Sequence, residues 1–231
     1  MSQPRRVPSP GARTQAWSRP YSLGCFIAAL IPVTLIVSET HFPAPIQPPQ
    51  EMVAYFQAEA AKVRICAFLQ FCSAIPLGIF TAAMVSRLRS HGAQSAWVLI
   101  ALVGGLAASS AVALSALIQW TISQPGIAED SALTVALYFL LFAFGGPGFS
   151  VPLGLLTAGL SISAGYLGLL PRWLVVFGVT LGIVGALSAL DLLDHRALFL
   201  IPLTRFPGFV WMILAGFKLP SARLATGQAS A

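Results

Sequence analysis

Six stretches of this chain are apolar for nearly the whole length that a helix needs to cross a bilayer, about 20 residues. They run near 21–38, 65–86, 96–119, 132–156, 171–190 and 197–217. A transmembrane barrel strand would show roughly ten residues of alternating polarity. These runs are instead continuous, as in AWVLIALVGGLAASSAVALSALIQW from Ala96 to Trp120. Only a helix closes its own backbone hydrogen bonds inside hydrocarbon. The pattern therefore predicts an all-α integral membrane protein, a bundle of six transmembrane helices. The Gly- and Ser-rich stretch from Thr157 to Leu170 either continues the fourth segment or begins the fifth.

Composition narrows the class. Charged residues are 9% of the chain, against about 25% in an ordinary soluble domain. Hydrophobic residues reach 57%, more than a soluble fold of this size hides. A soluble enzyme is excluded, and so is disorder of the body of the chain. The net charge of +6 would suggest nucleic acid in a soluble protein. Here the cations are scattered between apolar runs, so anionic lipid headgroups are the expected counter-charge. Cys25, Cys66 and Cys72 all lie in apolar segments with no CxxC spacing, which argues against zinc and against a disulfide framework.

The cations also predict an orientation. Arg5, Arg6, Arg13, Arg19, Arg87, Arg89, Arg172, Lys218 and Arg223 fall on one side if the chain crosses six times. The positive-inside rule makes that side cytoplasmic and places both termini there. Lys62, Arg64, Arg196 and Arg205 are the exceptions. The domain organisation is then a basic tail over 1–20, a six-helix domain over 21–218 and a short cytoplasmic tail over 219–231. The apolar run from Tyr21 to Val37 imitates a signal peptide. It is long for a signal core and has no clean small-x-small site after it, so a retained first span is expected. The acid-free, Arg-bearing start is the compositional mark of a transit peptide as well.

The longest outer loop, 39–50, reads ETHFPAPIQPPQ, and its prolines favour extended backbone. The second helix is expected to start after Pro49 and to stand two or three turns above the outer surface, or to lie in the interface as an amphipathic helix. Glu59 and Lys62 share a face there and suit a weak pair.

Candidate chemistry is sparse. Arg205 lies inside the sixth segment, flanked by Pro202 and Pro207, which predict a broken outer half. An arginine that deep snorkels, pairs or faces water. It marks either an anion site in a polar cleft or a tie from the helix top to Asp191, Asp194 or headgroups. The run DLLDHR gathers Asp191, Asp194, His195 and Arg196, which reads as a solvated loop. With His41 it falls short of the three or four ligands zinc wants, and no metal is expected. In the fourth segment Gly145, Gly146, Pro147, Gly148 and Pro152 predict a break or kink, useful for packing or for a transporter site. Pro76 predicts a kink in the second segment. Trp97, Trp120, Trp173 and Trp211 sit near predicted boundaries, as interfacial anchors would, and Trp17 just precedes the first span. Gly178 and Gly182 form a GxxxG.

The last third resembles a family. GYLGLLPRWLVVFGVTLGIVGALSAL followed by FPGFVWMILAGFKL is similar to small multi-pass bacterial membrane proteins of unknown function (DUF4386-like). The resemblance rests on Leu170, Pro171 and Trp173 before the fifth helix, and on Trp211 and Gly216 in the sixth. It implies a bacterial inner-membrane location and assigns no catalytic residue or cofactor.

Three functions fit these expectations. The first is a non-enzymatic protein that binds a lipid, a small molecule or a partner membrane protein, as an accessory subunit or a homo-oligomer. The second is a small transporter or channel with a polar site near Arg205. The third is a lipid enzyme of the outer interface, using His41, Glu59, Asp191 and His195.

Overall fold

A computed structural model describes residues 42–220. The tail over 1–20, the first predicted span, His41 and everything after Pro220 lie outside the described residues. Those described form helices and turns without a strand. Helix α1 runs Pro49–Ala58, α2 Ala60–Ser90, α3 Ala96–Ile122, α4 Ser131–Gly145, α5 Pro147–Tyr166, α6 Arg172–Leu187 and α7 Leu200–Lys218. Short 3-10 turns cover Ile127–Glu129, Ser188–Leu192 and His195–Phe199. Five helical stretches are long and apolar enough to cross a membrane, with α4 and α5 counting as one. The protein is a multi-pass, all-helical membrane protein.

Local chemistry sets the boundaries. Pro49 opens α1, where its missing N–H costs nothing. Glu59 separates α1 from α2, yet its N–H still reaches Tyr55 O and its carbonyl still accepts from Val63, each at 2.9 Å. The second predicted helix is thus two helices with a hydrogen-bonded joint. Helix α2 ends at a left-handed Gly92 (φ 89°), with Ala93 N–H on Leu88 O and Gly92 N–H on Arg89 O. Helix α5 ends the same way at Gly168 (φ 62°), so the Thr157–Leu170 stretch continues α5 to Tyr166 and then turns. Asp130 caps α4 by accepting from Leu133 N–H at 3.0 Å.

One expectation about proline is corrected, the broken outer half of the last segment. Helix α7 is continuous through Pro207, and Pro202 falls in its first turn, where an N–H has no helical acceptor to lose. Pro76, where a kink is expected, lies inside α2, which continues past it to Ser90.

Packing runs α2 on α3, α3 on α4 and α5, α5 on α6, and α6 on α7. Small residues allow it. A Cβ at Gly104 would stand 2.7 Å from the backbone of α5, and one at Gly159 would stand 2.6 Å from Trp97 O. The main core joins Leu77, Phe80 and Leu88 of α2 with Leu153 and Leu156 of α5, Leu174 of α6 and Trp211 of α7. A second, smaller core joins Met52 and Phe56 of α1, Val63 of α2, Ile122 of α3, and Tyr138 and Leu141 of α4. Outward faces stay apolar, as Phe68, Val103, Val176 and Phe206 show. Lipid accepts such a surface and water does not.

Helix length separates the two cores. At 1.5 Å per residue α6 and α7 are about 24 and 28 Å long, whereas α3 is about 40 Å. The α6–α7 hairpin therefore tops out beside the α4–α5 joint. Gly185 meets Ser150 and Gly154, and Ile201 meets Gly146. The smaller core rises past that level.

Candidate functional site at the α4–α5 joint

Gly146 breaks what would otherwise be one long helix. Its N–H bonds Phe142 O at 2.7 Å, and its carbonyl accepts from Phe149 and Ser150 at 3.1 and 2.9 Å. A Cβ here would stand 2.8 Å from Phe142 O, so only glycine fits. Pro147 brings no N–H to the joint. With Phe149 turned to Gly146, the Gly145 carbonyl is left outside the ladder. Arg205 Nη2 donates to that carbonyl across the helix interface. The guanidinium carbon also lies 4.9 Å from the centre of the Phe149 ring. Phe149 in turn meets Phe209, with ring centres 6.4 Å apart.

The structure thus joins two features that the sequence presents separately, the Gly/Pro break and Arg205. It does not join Arg205 to the acids. Among the described residues no carboxylate lies within 4.0 Å of it. The expected tie to Asp191 or Asp194 is replaced by a backbone carbonyl that the break sets free.

The turns after α6 hold Asp191 and His195. Asp191 is 2% exposed, which corrects the expectation of a solvated loop at this residue. The 3-10 turn packs against α5 and brings the side chain inward. Its Oδ1 stands 3.4 Å from His195 Nδ1, and its buried Oδ2 has no hydrogen-bond partner. Asp194 accepts from Arg196 N–H at 2.9 Å, and the side-chain pair with Arg196 is exposed and long at 3.9 Å. Glu59 lies at the α1–α2 joint, paired with Lys62 at 3.0 Å, and takes no part in this cluster. No group of three or more His, Cys, Asp or Glu among the described residues is placed to hold a metal ion.

Several structural side chains escaped the sequence reading. Arg64 donates to Ser123 O at 2.7 Å, and Arg87 to Gly216 O at 3.2 Å. Trp211 is not an interfacial anchor: it is wholly buried, and its Nε1 donates to Leu174 O at 2.9 Å. The signal for that burial was the glycine opposite. A Cβ at Gly178 would overlap Ser161 Oγ and stand 2.5 Å from Trp211 Nε1. Trp97, Trp120 and Trp173 do remain exposed.

Compared with known proteins, the chain matches no family model, no curated protein and no solved structure.

Proposed function

We propose that this is a non-enzymatic protein of the bacterial inner membrane that binds a lipid, a small molecule or a partner membrane protein. In this reading it has six spans with both termini in the cytoplasm, the first span being the 21–38 segment. The positive-inside rule supports that orientation, because Arg87, Arg89, Arg172 and Lys218 share one end of the described bundle. The likeness of its last third to small bacterial multi-pass proteins supports the location. One observation carries the binding reading. Five polar side chains reach across the bundle to donate to backbone carbonyls: Arg64 to Ser123, Ser109 to Ala74, Ser115 to Leu141, Arg205 to Gly145 and Trp211 to Leu174. Such bonds hold a bundle together and perform no chemistry. Native mass spectrometry after gentle extraction tests this. A lipid, small molecule or partner retained at fixed ratio is expected, and a bare protein would refute it.

The discontinuity at Gly146 favours a transporter as the second reading, because interrupted transmembrane helices build substrate sites. That reading requires liposome flux that Arg205→Ala abolishes.

A further inference from the structure

We infer that Arg205 binds a phosphate-type oxyanion at the α4–α5 joint, as the headgroup site of an anionic membrane lipid; the inference rests on the binding reading above. Charge arithmetic comes first. The C-terminus of α4 presents about half a negative charge, and the N-terminus of α5 about half a positive one. They meet at Gly146 and cancel. Asp191 and Asp194 do not reach the arginine. The full charge of the guanidinium is therefore unmatched beside an apolar bundle, where an isolated cation is costly.

Donor capacity comes next. A guanidinium has five N–H groups in a planar fork. The Gly145 carbonyl takes one, and the Phe149 ring stands 4.9 Å from the guanidinium carbon. These contacts orient the fork and leave donors for a tetrahedral oxyanion, which Arg recognises better than Lys does. The Arg205 side chain is itself only partly buried, so those remaining donors are open to a ligand approaching from the membrane.

The surroundings select a lipid. Residues 205, 209 and 213 share one face of α7. Phe209 and Ile213 are partly buried, and the neighbouring Phe206 is 53% exposed. An acyl chain has an apolar track leading away from the cation. Free phosphate has the same headgroup chemistry without that track.

The test uses the full chain in nanodiscs of phosphatidylcholine with a minority of phosphatidylglycerol, read by native mass spectrometry. Wild type is expected to retain phosphatidylglycerol about tenfold over its share of the bilayer, the scale of a charge-assisted bidentate contact. Arg205→Gln should erase the preference. Arg196→Gln, which removes a cation exposed at the same end, should keep it. Arg205→Lys, which keeps the charge and the fold, should lower but not erase it. Added inorganic phosphate that displaces the lipid would show that the site also takes a free oxyanion. Retention against phosphate would mark it as a lipid site alone. No preference in wild type overturns the inference whatever the variants do. So does a preference kept in Arg205→Gln or lost equally in Arg196→Gln. Lipid held equally by wild type and Arg205→Gln would refute the Arg205 site while leaving the binding reading intact. A protein that retains nothing refutes both.

Discussion

Gly178→Ala adds one methyl group to α6 and tests whether α5, α6 and α7 are packed as described. The new Cβ would overlap Ser161 Oγ and lie 2.5 Å from Trp211 Nε1 and 2.8 Å from Trp211 Cε2. Unstrained carbon contacts need about 3.5–4.0 Å, so the neighbours must retreat by roughly 1 Å. Neither yields easily. Ser161 and Trp211 are both wholly buried, and Trp211 is tied to Leu174 O. Overpacking of this kind costs about 1–3 kcal/mol. Breaking the indole hydrogen bond would add about 1 kcal/mol. Against that, Ala favours helix over Gly by about 1 kcal/mol. The balance is a loss of about 1–3 kcal/mol. Denaturant unfolding in mild detergent, followed by tryptophan emission, measures it. Val176→Ala on the exposed face of the same helix serves as control and should stay within about 0.5 kcal/mol of wild type. Ser161→Ala removes the clashing hydroxyl, so the double variant should recover about 1 kcal/mol relative to the sum of the single ones. A Gly178→Ala protein as stable as wild type would refute the packing argument, because propensity alone would then govern the site.

Arg205→Ala strips the cap from the Gly145 carbonyl and should cost about 1 kcal/mol in the same unfolding assay, the loss of a partly buried hydrogen bond. Tyr138→Phe loses the 2.6 Å bond to Pro43 O that anchors the turn-forming segment before α1 to the smaller core. A loss of about 1 kcal/mol and faster protease cleavage around residues 43–48 are expected, and unchanged cleavage would refute the anchor. Arg196→Ala should move stability by less than about 0.5 kcal/mol, since its 3.9 Å pair with Asp194 is largely exposed. A larger effect would mean that the turn is held by that pair.

Hydropathy made the membrane-spanning stretches legible because a bilayer demands length and apolarity and little else. All five later segments reappear as helices in α2 to α7, though the fourth, expected over 132–156, runs from Ser131 to Tyr166 and is broken at Gly146. What the pattern missed is what apolarity does not encode. Thr157 to Tyr166 is as apolar as a helix or a loop between helices, and its end was written in one residue, Gly168, whose left-handed backbone closes α5. Trp211 obeyed a rule of position, near a predicted boundary, but a rule of volume decided its place. Gly178 and Ser161 leave a gap that an indole fills.

Arg205 shows the same limit from the side of chemistry. A sequence names side chains, so an arginine in a membrane helix invites a search for an acid, and DLLDHR stands nine residues away. The partner is a carbonyl, a group every residue carries and no motif marks. It became available because Gly146 and Pro147 took the helix out of register, so the break and the arginine depend on each other. Remove the break, and Gly145 O returns to the α-helical ladder and Arg205 loses its anchor. Remove Arg205, and the break leaves an acceptor unpaired inside the bundle. Two features that each look destabilising alone therefore form one stable unit, and the bond to Gly145 O uses only one of the guanidinium's five N–H groups.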